Sequence, residues 1–257
     1  MDLNNKVAVI TGASGGIGKA MAQGFLDQGA RAVVISDLNE ISLRETAGQI
    51  GCESIVCDVT KEDSVKSLVD YVLDRYGSVD LFCSNAGSAG EGDRGLADAV
   101  NNAWQGQWEL NVMAHIYASR AVLPGMIEKG EGFFLITASA AGLLAAITAG
   151  PYTVTKAAAV KFAELLAIVH GDQGIKVSVL CPQGVNTVMS PKNLGDGQTD
   201  GIVEPEYVAK VVIEAINDER FHVLPHPEVE EYVRRKGNNI DRWISGMRRL
   251  RRRAMER

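Results

Sequence analysis

At 257 residues, with 46% hydrophobic and 23% charged side chains, the chain is too apolar to be disordered and long enough to bury a core. Its formal net charge of −6 conceals a basic end, because residues 234–257 hold ten basic and two acidic side chains. No run of about eighteen apolar residues is present and no basic-then-apolar leader precedes the first strand, so neither a membrane span nor secretion is expected, and a cytoplasmic location is.

The four cysteines, Cys52, Cys57, Cys83 and Cys181, form no C-x-x-C pair, and each sits in or beside an apolar run. They read as free thiols in a reducing compartment, and with the four histidines they offer no clustered metal site. The basic end fits nucleic acid, an anionic membrane, a solvated helix face or a contact between subunits. No finger, basic zipper or RNA-binding motif accompanies it, so no nucleic-acid partner is expected.

In chain order, a strand is predicted at 6–10 and runs into Thr11-Gly12-Ala13-Ser14-Gly15-Gly16-Ile17-Gly18. A glycine string alone is weak evidence; placed between strand and helix it reads as a nucleotide loop. Gly12, Gly16 and Gly18 divide three duties, namely a tight turn, backbone approach to a diphosphate and close helix–sheet contact. Ser14 and Ile17 flank the helix start, where exposed N–H groups face phosphate. The helix over 17–27 directs Ile17, Met21, Phe25 and Leu26 to the core. A strand at 32–36 ends in Asp37, whose carboxylate can accept both adenosine ribose hydroxyls and would repel a 2′-phosphate, favouring NAD over NADP. A turn-capping aspartate has the same signature. The strand at 54–57 leads to Asp58 and Val59, placed for an adenine amino group and ring. The helix over 64–76 buries Val65, Leu68, Val69, Val72 and Leu73. A strand at 81–84 ends in Asn85-Ala86-Gly87, small enough to pass close to a cofactor, with Asn85 able to tie neighbouring loops together.

Asn111, in Trp108-Glu109-Leu110-Asn111, is either a core helical amide or the support of a buried water. The strand at 132–137 precedes Ser139, whose hydroxyl can hold a substrate oxygen. A helix then begins near Pro151 and ends at Gly171, with Val154, Ala158, Phe162, Leu165, Leu166 and Val169 assigned to the core. Tyr152 and Lys156 lie four apart on it, hence on one face. An unperturbed tyrosine titrates near 10, so service as a base needs a fixed positive charge nearby. The strand at 176–181 runs into Pro182-Gln183-Gly184-Val185-Asn186-Thr187, and the last strand is predicted at 221–224. Residues 189–204 read as a substrate-side loop or lid. Residues 228–257 read as a basic extension docked through Val229, Tyr232, Val233, Trp243, Ile244, Met247 and Leu250. Candidate pocket walls are 88–92, 143–147, Gly184 and 188–194, where Leu143, Leu144, Ala145, Ala146, Ile147 and Met189 favour a mostly apolar substrate. Lys192 reads as a solvated loop cation or a partner for an acidic group. Strands apolar at consecutive positions suit parallel pairing under helices. The expected fold is a single doubly wound, Rossmann-like α/β domain over 1–257, with a seven-stranded, mostly parallel sheet and helices on both faces.

These motifs, in this order, resemble the classical short-chain dehydrogenase/reductase family over residues 6 to about 225. The resemblance implies that Tyr152 donates or accepts a proton, while Lys156 binds ribose and lowers the phenol's pKa. It assigns Ser139 to substrate orientation and Asn111 to a proton relay. It places Pro182, Val185 and Thr187 at the nicotinamide, with Val185 backbone and Thr187 on the carboxamide. Gln183 stands where the family usually has glycine, which bears on the local turn and on pocket polarity. The implied activity is NAD(H)-dependent interconversion of a secondary alcohol and a ketone by hydride transfer, in a homo-oligomer, commonly a tetramer. Competing readings are an NADPH-dependent carbonyl or acyl-thioester reductase and a catalytically weak dinucleotide-binding regulator. Asp37 weighs against the first, and the set Asn111, Ser139, Tyr152 and Lys156 against the second.

Overall fold

The computed structural model describes residues 1–90, 96, 98–187 and 200–256. Pocket positions 91–92 and 188–194, with Met189 and Lys192, and loop residues 189–199 lie outside the described residues.

The elements alternate along the chain: β1 (Val7–Thr11), α1 (Gly16–Asp27), β2 (Ala32–Asp37), α2 (Glu40–Ile50), β3 (Glu53–Val56), α3 (Glu62–Tyr76) and β4 (Leu81–Ser84). Then come α4 (Asn101–Trp108), α5 (Ala114–Lys129), β5 (Gly132–Thr137), α6 (Ala140–Leu143), α7 (Gly150–His170) and β6 (Ile175–Leu180). The remainder holds β7 (Gly184–Val185), β8 (Ile202–Val203), α8 (Pro205–Asn217), β9 (His222–Val223), α9 (Glu228–Asn238) and α10 (Ile240–Met255).

Seven strands pair in the order β3-β2-β1-β4-β5-β6-β9, and every pair is parallel. Side chains of a strand alternate between faces, so one sheet feeds two cores. Val7, Val9, Phe82 and Phe134 face α3, α5 and α7, with the two phenylalanine rings stacked at 5.7 Å. Ala8, Ile10, Val33, Ile35, Leu81 and Leu135 face α1, α2 and α8, where Met21, Phe25, Leu43, Val208 and Val212 are buried. The chain direction across the sheet reverses at β1, whose neighbours are β2 and β4. The helices that follow β1 and β4 therefore pack on opposite faces of the sheet, and the carboxyl-end crevice between them is where ligands bind in doubly wound sheets. This is the Rossmann-like fold.

Three local expectations need correction. On α7 the buried stripe is Thr155, Lys156, Ala159, Val160, Ala163 and Leu166, whereas Val154, Leu165 and Val169 point to solvent. Apolar residues lie on both sides of this helix, so hydrophobic spacing alone could not select its inner face. Between α4 and α5 the helix widens to a π-turn at Glu109–Met113 that no composition signal announced. In the tail Val229 is buried, and Tyr232, Val233, Trp243 and Met247 are half-buried, but Ile244 and Leu250 remain exposed and α10 buries no residue fully.

Candidate active site

The glycine loop and the segment after β4 meet across the crevice. Gly12 has φ +65°, and a Cβ there would lie 2.7 Å from Ala86 Cα, so both the turn and the close approach require glycine. At Gly18 a Cβ would sit 2.6 Å from the Gly12 carbonyl oxygen, and at Gly16 it would meet Thr187 Cγ2 at 3.0 Å. Asn85 fastens the two loops: Nδ2 donates to the Thr11 and Gly12 carbonyls at 2.9 and 3.1 Å, while Oδ1 accepts from Thr137 Oγ1 at 3.0 Å. Thr11, unmarked in the sequence reading, accepts from the Asn85 and Ala86 N–H groups at 3.0 and 3.1 Å.

Gly15 opens α1 without a side-chain capping bond, which leaves helix N–H groups aimed into the crevice mouth. Asp37 ends β2, and its Oδ2 accepts from Ser14 N–H at 3.1 Å and Ser14 Oγ at 2.7 Å. Asp37 therefore also ties its own strand end to the glycine loop. Asp58 Oδ1 accepts from Thr60 N–H and Oγ at 3.0 and 2.7 Å, a turn contact beside buried Val59. Ile17 is half-buried at the start of α1.

The second half of the site is built on α7 and the ends of β5 and β6. Ser139 caps α6, its Oγ accepting from Ala141 N–H at 3.1 Å and donating to the Pro182 carbonyl at 3.4 Å. Burial pushes the Tyr152 phenol above its ordinary value, and the neighbouring Ser139 hydroxyl pulls only partly against that. Lys156 is 3% exposed, and its Nζ lies 5.8 Å from the Tyr152 ring centroid and donates to the Thr137 carbonyl at 2.9 Å. Burial lowers its pKa to about 8. The sequence reading expected the ammonium to draw the phenol down; in this structure desolvation decides both shifts, upward for the phenol and downward for the amine.

The π-turn carries Asn111 into the same place. Its Nδ2 donates to Ser88 O at 3.0 Å and to Thr155 Oγ at 3.3 Å, and Oδ1 accepts from Ser88 N–H at 3.2 Å. A Cβ on Gly87 would lie 3.0 Å from both Asn111 Oδ1 and Lys156 Nζ, so Gly87 makes room for that meeting. Two further buried groups lie nearby, His115, which the sequence does not mark, and Cys181, which it marks only as a free thiol. His115 Nδ1 lies 2.7 Å from Ser84 Oγ, and burial followed by the Lys156 charge holds its pKa down near 3. Burial raises the Cys181 thiol to about 12. Neither carries a motif; only the fold brings them here. Pro182 O accepts from Ala140 N–H at 2.9 Å, and Val185 O from Thr187 N–H at 2.8 Å, which folds this segment back toward Gly16.

Residues 6–196 match the family model for short chain dehydrogenase. A relative named 1-deoxy-11-beta-hydroxypentalenate dehydrogenase, from Streptomyces exfoliatus, is 30% identical over 95% of this chain and 92% of its own length. A 3beta-hydroxysteroid dehydrogenase 2 from Eggerthella lenta is 31% identical over 76% of this chain and 75% of its own. Among solved structures, a short chain dehydrogenase/reductase from Burkholderia phymatum in complex with NAD superposes with a TM-score of 0.83 at 29% identity, covering 94% of this chain and 96% of that one. With its parallel sheet and carboxyl-end crevice, the chain belongs to the short-chain dehydrogenase/reductase family of oxidoreductases, which bind a nicotinamide dinucleotide.

Proposed function

We propose that the chain is an NAD(H)-dependent oxidoreductase that interconverts a secondary alcohol and a ketone, with Tyr152 exchanging the hydroxyl proton. The observation that carries this reading is the buried Lys156 ammonium 5.8 Å from the centroid of the Tyr152 ring, with the buried Ser139 hydroxyl beside the phenol.

The residues present fit a dinucleotide. Gly12, Gly18 and Gly87 let the β1 and β4 loops pack closely at the crevice, and open space stands where a Cβ on Gly15 would lie, at the uncapped start of α1. Gly12, Ser14, Gly16, Ile17 and Gly18 would face the diphosphate at the uncapped start of α1. Asp37 would hold the adenosine ribose, and its charge favours NAD over a 2′-phosphorylated form. Asp58 and Val59 would flank adenine. Asn85, Ala86 and Gly87 would line the middle of the groove. Lys156 and Tyr152 would hold the nicotinamide ribose, and Pro182, Val185 and Thr187 the carboxamide. When bound, NAD supplies the acceptor or donor of the hydride.

The chain's own residues handle the proton and the oxygen. Ser139 Oγ holds the substrate oxygen and fixes the carbon that reacts. Tyr152 Oη takes the hydroxyl proton in oxidation and returns it in reduction. Lys156 stabilises the phenolate by charge, and Asn111 supports the path by which the proton leaves. Leu143, Leu144, Ala145, Ala146 and Ile147 are half-buried beside Ser139 and give the substrate a mostly apolar wall. Two relatives bearing hydroxy-compound names support a hydroxylated substrate of that kind.

The test is a screen of secondary alcohols and ketones that follows NADH absorbance, with Tyr152→Phe as control. Turnover is expected with NADH ahead of NADPH, and a loss of about a hundredfold or more in the variant. Full turnover by a folded Tyr152→Phe protein overturns the proton-transfer role; preference for NADPH overturns the cofactor.

A further inference from the structure

Helix α9 touches both banks of the site. Val229 is fully buried, and Tyr232 and Lys236 continue the same face. Tyr232 Oη donates to Asp200 Oδ1 at 2.8 Å, and Gln183 Nε2 donates to Asp200 Oδ2 at 2.9 Å. Gln183 directly precedes β7 and Asp200 lies just ahead of β8, so this bridge adds a side-chain rung to the β7–β8 pairing. His226, which leads into α9, accepts from Gln183 N–H at 3.2 Å. One turn beyond Tyr232, Lys236 Nζ donates to the Leu143 and Leu144 carbonyls at 2.6 and 3.2 Å, at the far end of the helix that Ser139 caps. Its hydrogen-bond partners among the described residues are carbonyls alone.

The two banks already meet at their roots, where Pro182 O accepts from Ala140 N–H at 2.9 Å and from Ser139 Oγ at 3.4 Å, and Leu180 O accepts from Ala138 N–H at 2.8 Å. The Gln183 side chain and the Leu143–Leu144 end lie beyond these contacts and are held by α9. We propose that α9 is a brace between them: Tyr232, through Asp200 and Gln183, steadies the Pro182–Thr187 segment, while Lys236 steadies the far end of the Ser139 segment. Gln183, Tyr232 and Lys236 are then positioning residues that set how the substrate-holding hydroxyl faces the nicotinamide, so the inference rests on the reading under Proposed function. A glycine at 183 would have no side chain with which to reach Asp200, so that end of the brace rests on the Gln183 amide.

Tyr232→Phe and Lys236→Met keep the ring and the alkyl stem and remove only the polar ends. Backbone hydrogen exchange on the full chain is measured first, because it needs no substrate. Each variant is expected to speed exchange about threefold or more at both banks, residues 140–144 and 202–203, since freeing either end loosens α9 as a whole. With the ketone found in the screen, kcat is expected to fall about fivefold or more in both variants. Lys236→Arg, which keeps a donor, should restore kcat. Exchange changes confined to the bank whose own contact was cut, or unchanged kcat in folded variants, overturn the brace. A fully active Tyr152→Phe would instead overturn the proposed chemistry and leave the exchange result standing.

Discussion

Lys156, central to the proposed chemistry, is held at a cost to the fold. Its folded-state pKa of about 8 lies below the ordinary 10.5, so burial disfavours the charged form by roughly 3 kcal/mol. That penalty is complete below pH 8 and fades as pH rises toward and past 10.5. Lys156→Met should therefore raise the melting temperature of the dinucleotide-free protein at pH 7, by a few degrees once the orphaned Thr137 carbonyl is offset, and abolish turnover. The melting gap should narrow at pH 10. A Lys156→Met protein that melts lower than wild type at pH 7 contradicts this. Gly12 presents the opposite case: Gly12→Ala places a methyl 2.7 Å from Ala86 Cα at a positive φ, so denaturant unfolding should show a loss of about 2–4 kcal/mol, with weakened NADH binding by fluorescence titration. Tyr152, Lys156 and Asp37 were legible as residues because spacing and strand ends are written in one dimension. Thr11, Thr137 and His115 were not, since their partners lie on other strands and each looks like an ordinary core or turn residue until the sheet is assembled.

At the scale of elements, the seven strands of the main sheet were legible within a residue or two because their apolar runs are continuous. The short β7 and β8 were not, since two residues carry no period. The π-turn at Asn111 was hidden for a related reason: widening one turn changes backbone bonding without altering composition. The amino edge of the sheet depends on Asp80, which is 4% exposed, accepts from Val7 N–H at 2.8 Å and pairs with Lys129. Burial alone would raise its pKa, but Lys129 and the Val7 N–H outweigh it and hold the carboxyl below its usual value. A depressed carboxyl stabilises the fold above about pH 4 and loses that effect as pH falls through its folded value. Asp80→Asn should cost about 2 kcal/mol at pH 7 by urea unfolding, and the difference from wild type should shrink below pH 3. An unchanged midpoint at neutral pH contradicts a structural role for the pair.

For the molecule as a whole, Val154, Leu165, Ile168 and Val169 leave an exposed apolar face on α7, between 42% and 69% accessible. We propose that this face meets a second copy of the chain, in the tetramer that the family resemblance implies. Native mass spectrometry should show four copies, and Ile168→Lys with Val169→Glu should reduce that number; a monomeric wild type contradicts it. Nothing in composition separated this outer face from the inner one, because both are apolar and only the sheet decides which is covered. The proposed chemistry depends on a phenol that burial holds protonated until positive charge gathers beside it, and lowering a pKa by three units corresponds to about 4 kcal/mol. The direct measurement is an ultraviolet difference titration of phenolate in wild type and Tyr152→Phe, each with and without NAD. The expected result is one phenolate in the NAD-bound wild type that titrates well below pH 10 and is missing from the variant. Identical titrations for the two NAD-bound proteins would contradict it.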